Sequence, residues 1–169
     1  MGKELSGKDG LILVLNSGSS SLKFGIYRRS ETDEEPLLTG SADGIGQSNG
    51  SLHIRSSDGT SLLQRESVHE SQSHALKVVA AAIPQHIHDT PAAVGHRVVH
   101  GGPHLRSHQL ITPQVLNVLR AAIHFAPLHI PQALSLITSA QSIFPSAAQF
   151  ACFDDAFHQT IPEVASHFA

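Results

Sequence analysis

Between positions 16 and 23 the chain reads NSGSSSLK, which packs an amide, four hydroxyls, one glycine and a lysine into eight residues. Such a set suits an oxyanion. Turn amides form an anion-binding concavity, the Ser19 and Ser21 hydroxyls add donors, and the Lys23 ammonium adds a point charge. It is not the strand–loop–helix phosphate motif, because the required Gly-Lys pair is absent. A Ser/Gly-rich turn that holds no ligand has the same composition, so this stretch by itself leaves both readings open. Two further residues invite a chemical reading. Arg97 lies in GHRVVHGG, and a guanidinium fork holds a planar carboxylate through two charge-assisted hydrogen bonds. A structural ion pair uses the same fork. Asp154 follows the apolar run before it, at the C-terminal end of a predicted strand, where α/β sheets place ligands. Asp155 raises the cost of ionising Asp154 if both carboxylates face one pocket, whereas consecutive strand residues face opposite ways.

Metal and disulfide chemistry have little support. The thirteen histidines are many for 169 residues, and protonating all of them would carry the formal net charge from −3 to +10. Mild acidification is therefore expected to change solubility and any oligomer interface. His86/His88, His96/His100 and His104/His108 fall on different predicted elements without paired cysteines, so they do not read as a zinc site. Cys152 is the only cysteine, which excludes an internal disulfide.

The elements that must position these residues can be read from periodicity. The apolar run at 11–15 has the pattern of a strand buried on both faces. Residues 22–27 alternate as a second strand, so 16–21 becomes a hairpin tip. The charge-dense RRSETDEEP reads as a solvated turn, followed by a strand at 37–42, a loop at 44–50, a short strand at 52–55 and a return strand at 61–66. The period then changes. Leu76, Val79, Ala80 and Ile83 mark one face of a helix capped by Ser71 or Ser73 and stopped by Pro84. Residues 91–99 return to strand. Thr112-Pro113 opens a helix with Val115, Val118, Leu119 and Ala122 on its buried stripe. Pro127 interrupts, Pro131 opens a helix to about residue 143, and 149–153 form a short buried strand. Periodicity supports mixed α/β.

Composition narrows the class. With 40% hydrophobic and 15% charged residues, the chain reads as a soluble globular protein of about one domain. Its weak negative charge offers no footprint for nucleic acid or an anionic membrane. No apolar run approaches the roughly 18 residues of a membrane span, and MGKELSGKDG lacks the apolar core of a signal peptide. Cytoplasmic location is the expectation.

Taken together, the motifs resemble those of acetate kinases, in the superfamily of actin, sugar kinases and heat-shock ATPases. NSGSSSLKF is similar to the family's first phosphate motif, GHRVVHGG to its carboxylate-binding arginine segment, FAPLHIP to FAPLHNP, and CFDDAFHQTIP to FDTAFHQTMP. The four stand in the family's order from Asn16 to Pro162, residues 28–70 match loosely, and Ile130 and Asp155 depart from the usual Asn and Thr. The resemblance implies an α/β, ribonuclease-H-like (actin-like ATPase) domain with a mixed sheet, truncated. Residues 1–10 would be a loose leader, and 11–169 an incomplete N-terminal acetate kinase domain whose remainder and second domain are absent. It further implies phosphoryl transfer from ATP to acetate with Mg²⁺ (or Mn²⁺). Ser19, Ser21 and Lys23 would face the ATP phosphates, and Asn16 would help hold the metal. Arg97 would hold the substrate carboxylate, His129 would lie near the transferred phosphoryl group, and Asp154 would be the active-site acid. The full-length family is expected to be homodimeric. Alternatives are a propionate or butyrate kinase of the same family, or a non-catalytic remnant acting as an interaction module. The isolated chain is expected to be poorly packed and inactive.

Overall fold

The computed structural model describes residues 10–30 and 33–157. Strand β1 (Gly10–Ser17) and β2 (Ser21–Arg29) form the expected hairpin, with Asn16 opposite Lys23 and the tip closed by Gly18 N–H donating to the Ser21 carbonyl at 2.8 Å. Strands β3 (Glu34–Asp43), β4 (Ser51–Ser56) and β5 (Ser61–Glu66) continue the antiparallel meander. Helix α1 (Gln72–Ala82) then leads to β6 (Ala93–Val98), which pairs parallel with β1. After the two-residue β7 (Gln109–Leu110), α2 (Pro113–Ala121) and α3 (Ile130–Ile143), strand β8 (Ala148–Phe153) lies parallel to β6. The strand order is β5-β4-β3-β2-β1-β6-β8-β7. Its centre, β3-β2-β1-β6-β8 with three antiparallel and then two parallel strands, is the ribonuclease-H-like arrangement. The β4–β5 hairpin extends one edge, and β7 pairs antiparallel with β8 at the other.

Alternation assigns the two faces. Leu11, Leu13, Leu15, Leu22, Phe24, Ile26, Leu38, Leu52, Ile54 and Val94 point to the face covered by α1 and α3. Val98, Ala151 and Phe153 continue that face under α2 and α3. Leu13, Leu15, Leu22 and Ile26 are fully buried, and truncating any one to Ala costs about 2–5 kcal/mol, because the close-packed surroundings fill the cavity only in part. The opposite face carries Asn16, Lys23, Gly25, Thr39, Ser41, His53, Arg55, Arg97 and Cys152 by register, and Val14 on it is 39% exposed.

The helix starts follow from their caps. The Ser71 hydroxyl accepts from His74 N–H at 3.1 Å, which selects Ser71 over Ser73 as the cap. The Thr112 hydroxyl accepts from Val115 N–H at 3.3 Å ahead of Pro113. Several boundaries differ from expectation. The charge-dense stretch is largely strand, since β2 runs to Arg29 and β3 begins at Glu34, with Arg28 opposite Glu35. Cross-strand pairing there outweighs the polar composition. Strand β1 begins at Gly10, inside the predicted leader, whose other residues lie outside the described set. Pro84 sits inside a 3₁₀ turn, Ile83–Gln85, that extends α1. Val118 is only half-buried, and β7 carried no periodic signal because two residues are too few to show one.

Candidate functional site

The parallel strands β1, β6 and β8 deliver three of the seven predicted site residues to one point. Arg97, next to last in β6, donates from Nε to Asp154 Oδ1 at 2.9 Å and from Nη2 to Asp154 Oδ2 at 2.5 Å, while Nη1 donates to Asn16 Oδ1 at 3.0 Å. The fork is thus engaged by a carboxylate and an amide of the chain itself. Its side chain is 43% exposed and that of Asp154 is 31% exposed, so the cluster faces solvent. Donating to the Asp154 carboxylate raises the Arg97 pKa beyond its ordinary value, and the weaker desolvation effect opposes this. Asp154 does not lie within the strand. It opens a single helical turn, α4 (Asp154–Phe157), immediately after β8, so the strand rule of alternate faces does not govern the pair Asp154 and Asp155. The segment from His158 to Pro162 of the same motif lies outside the described residues.

Across the β1–β2 pair, Lys23 stands opposite Asn16 on the same open face and is exposed to solvent. Ser19 is exposed and Ser21 half-buried at the hairpin tip. Hydrogen bonds to its backbone carbonyls hold that tip in place. Ile45 N–H donates to the Ser20 carbonyl at 2.9 Å, and the Gln72 amide donates to the Gly18 carbonyl at 2.8 Å and the Ser21 carbonyl at 3.2 Å. Gln72 is 7% exposed, and its Oε1 has no partner among the described residues. Sequence reading missed this clamp, since it reports α1 through its apolar stripe and Gln72 is a polar residue at the first helical position. The available signal was a polar residue directly behind the Ser71 cap.

His129 is placed elsewhere. It precedes α3, is exposed, and lines a pocket of about 510 Å³ with Val99, His100, Phe125, Ala126, Pro127 and Leu128. The pocket starts two residues beyond Arg97, although Arg97 is not among its lining residues. Leu128 is 75% exposed and Phe125 49%, an apolar wall open to solvent. The turn leading there requires glycine: a Cβ on Gly101 would lie 2.0 Å from the Leu105 carbonyl oxygen, and Gly102 sits at φ 68°. Ile130, which replaces the family's Asn, is 1% exposed and packs in the α2–α3 core, so its side chain serves the core and not the pocket wall.

Two nearby groups are chemically quiet. Cys152 lies opposite Arg97 in β8, and burial pushes its thiol pKa up, which keeps it protonated near neutrality. His96, the neighbour of Arg97 on the covered face, is buried and shares a 2.8 Å hydrogen bond with Gln149 Oε1. Burial lowers its pKa, and the Gln149 bond offsets this in part. Among the described residues no cluster of three or more His, Cys, Asp or Glu is placed to hold a metal ion. No described helix is long and apolar enough to cross a membrane.

Comparison with known proteins shows which family the chain resembles. The acetokinase family profile matches residues 11–169. The chain is 39% identical over 152 residues to a propionate kinase of Escherichia coli O6:H1, covering 89% of this chain and 36% of that protein. It is 38% identical over 167 residues to an acetate kinase of Rhodopseudomonas palustris strain TIE-1, covering 94% of this chain and 41% of that one. The crystal structure of Porphyromonas gingivalis acetate kinase superposes with a TM-score of 0.79 at 30% identity, over 92% of this chain and 40% of that one. The chain thus spans about two fifths of the length of these relatives. With the profile matching nearly its whole length and the ribonuclease-H-like sheet shared with a solved relative, the chain belongs to the acetokinase family.

Proposed function

We propose that this chain forms the carboxylate- and phosphate-facing part of a phosphotransferase that moves the terminal phosphoryl group of ATP to acetate, giving acetyl phosphate and ADP. The observation that carries the reading is the convergence of the Arg97 fork, Asp154 and Asn16 at the C-terminal ends of parallel strands, with Lys23 opposite Asn16. A carboxylate oxygen of acetate attacks the terminal phosphorus, an O–P bond forms, and the bond to the ADP oxygen breaks with the electron pair leaving on ADP. Acetate has a pKa of about 4 by analogy with Asp and Glu, so it is already ionised at pH 7 and needs no general base. The residues therefore act mainly by positioning and charge neutralisation.

In this reading Arg97 exchanges part of its bond to Asp154 for the incoming carboxylate. The tip amides with Ser19, Ser21 and Lys23 meet the phosphate oxygens. The pocket before α3 takes the acyl methyl, with His129 at its rim facing the phosphoryl group. Mg²⁺, or Mn²⁺, suits the donors at hand, because such ions take hard oxygen ligands, keep several waters and share substrate phosphates. Asn16 Oδ1 and the Asp154 carboxylate are the oxygens that would hold it through water, and the ion would neutralise phosphate charge. Asp154 then orients that water and does not carry a proton. We place the protein in the cytoplasm and take the full-length members of its family to be homodimers.

Propionate as acceptor is a second reading, favoured by the 39% identity to a propionate kinase. One methylene shifts discrimination by about 1–3 kcal/mol, so pocket size decides between the two. The test joins this chain in frame to the remainder of the R. palustris acetate kinase and traps acetyl or propionyl phosphate as hydroxamate. Acetate-dependent turnover is expected, with Arg97→Lys raising the acetate KM at least about tenfold. An active chimera in which Arg97→Lys leaves acetate kinetics unchanged would overturn the assignment.

A further inference from the structure

On the open face of the sheet, the row that contains Asn16 and Lys23 does not stop at the hairpin. Register carries it from Lys23 to Ser41 on β3 and His53 on β4. The next row holds Gly25, Thr39 and Arg55. Lys23, Thr39, Ser41, His53 and Arg55 line a concavity of about 580 Å³. Two cations thus sit on rigid strands, between two hydroxyls and an imidazole. Among the described residues neither the Lys23 ammonium nor the Arg55 guanidinium has a hydrogen-bond or ion-pair partner. The nearest acids by register are Asp43 and Glu66, both one row toward the tip, and Asp43 accepts the Ser41 hydroxyl at 2.6 Å. His53 is anchored through Nε2 to Ser51 Oγ at 3.0 Å, and its Nδ1 has no partner among the described residues.

Uncompensated cations gathered in a concave surface attract an anion, since the low-dielectric walls concentrate their field. A tetrahedral oxyanion offers enough acceptors for an ammonium, a guanidinium and two hydroxyls at once, and charged donors make the stronger bonds. We propose that this concavity is a binding site for an oxyanion of the phosphate class, formed by Lys23, Arg55 and His53 with the Thr39 and Ser41 hydroxyls. The site lies along the same row as the Arg97 cluster but on the far side of Lys23. It goes beyond the phosphoryl-transfer reading, with which it shares only Lys23, and none of Thr39, Ser41, His53 or Arg55 has a part in that reading.

The test is calorimetric titration of the 169-residue chain with inorganic phosphate at low ionic strength, with circular dichroism to verify the fold of each variant. Arg55→Gln and Lys23→Ala should each weaken phosphate binding about tenfold or more, the usual cost of losing a charged donor. Arg55→Lys should retain most of the affinity, Arg97→Lys should leave it unchanged, and binding should fall as salt screens the cations. No phosphate binding by the parent chain would overturn the inference, as would an Arg55→Gln affinity equal to the parent's. Loss on Lys23→Ala or Arg97→Lys with no loss on Arg55→Gln would also overturn it, and would leave the phosphoryl-transfer reading standing.

Discussion

The Arg97 fork yields a prediction whose sign is not obvious from a list of contacts. Asp154 occupies two guanidinium donors, so a substrate carboxylate has to compete with a carboxylate already in place. Replacing Asp154 with Asn should therefore tighten acetate binding to this chain, not weaken it. Partial exposure of both side chains, 43% and 31%, means solvent screens the pair. Measured exposed pairs are worth about 0.2–1 kcal/mol. Releasing that much raises affinity at most about fivefold, since 1.4 kcal/mol corresponds to a factor of ten. Removing the repulsion between Asp154 and the incoming carboxylate acts in the same direction. The absolute scale is also bounded. Acetate has four non-hydrogen atoms, and at about 1.5 kcal/mol each its dissociation constant cannot fall below roughly tens of micromolar. Titration of ¹³C-labelled acetate into the chain, followed by NMR at millimolar concentrations, reads this range. Asp154→Asn should bind more tightly than the parent, and Arg97→Lys more weakly because the planar fork is lost. Thermal unfolding of Asp154→Asn should shift down by at most about 4 °C, as expected for about 1 kcal/mol in a domain of this size. Equal acetate affinity in the parent and both variants would refute the competition argument and leave Arg97 as a purely internal ion pair.

Further outcomes follow from the same geometry. In the chimera with the R. palustris remainder, Lys23→Ala should raise the KM for ATP more than that for acetate, and equal rises in steady-state kinetics would remove Lys23 from the phosphate site. Gln72→Leu keeps the volume of α1 but deletes both donors to the tip, at about 1 kcal/mol for each bond lost; amide hydrogen exchange at residues 18–21 should speed up while β1 stays protected. His96 is buried neutral with a lowered pKa, so its contribution to stability is complete above the unfolded value of about 6.5 and is lost as pH falls toward the folded value. Denaturant unfolding should show a slope of up to about 1.4 kcal/mol per pH unit below 6.5 that His96→Gln reduces, and an unchanged slope would exclude His96 as its source.

How far the sequence revealed this molecule depended on whether each feature leaves a local mark. The β1–β2 hairpin, Ser71 and Thr112 as caps, and the strands around Arg97 and before Asp154 were legible, because periodicity and capping act over a few residues. Strand ends were less so. Arg28 and Glu35 look like loop residues until the opposing strand supplies their partner. The candidate site residues were singled out by the wording of four motifs, whereas their contacts were not legible there. Nothing in GHRVVHGG announces that the Arg97 fork is filled by Asp154 and Asn16, residues 57 and 81 positions away. Gln72 clamps carbonyls more than fifty residues back, and only the folded sheet brings them together. The Lys23–His53–Arg55 concavity was invisible for the same reason, since it depends on cross-strand register in the part of the chain where the motifs match least.

The two faces of the sheet divide the work in a way that bears on any variant of this protein. The covered side is nearly all apolar, and its buried polar side chains among the described residues, His69, Gln72, His96 and Gln149, each make at least one hydrogen bond, while His69 Nδ1, Gln72 Oε1 and His96 Nδ1 have no partner there. Substitution there acts through cavities or unpaired polar groups and changes stability. The open face carries the amide, ammonium, guanidinium and hydroxyl groups, and most of them keep their charged ends in solvent. Substitution there should cost little stability and change ligand affinity, because exposed charges contribute little to folding. Period-two alternation places the two functions on neighbouring residues: His96 supports the core while Arg97 faces the site. A one-residue slip of β6 would therefore exchange them, burying a guanidinium and exposing an imidazole. The parallel pairing of β6 with both β1 and β8 guards against this slip, because the shift would have to break register on both sides at once. The geometry of the Arg97 fork thus depends less on its own three hydrogen bonds than on the apolar residues of β6, Val94 and Val98, which are 0% and 1% exposed and lock the strand in place.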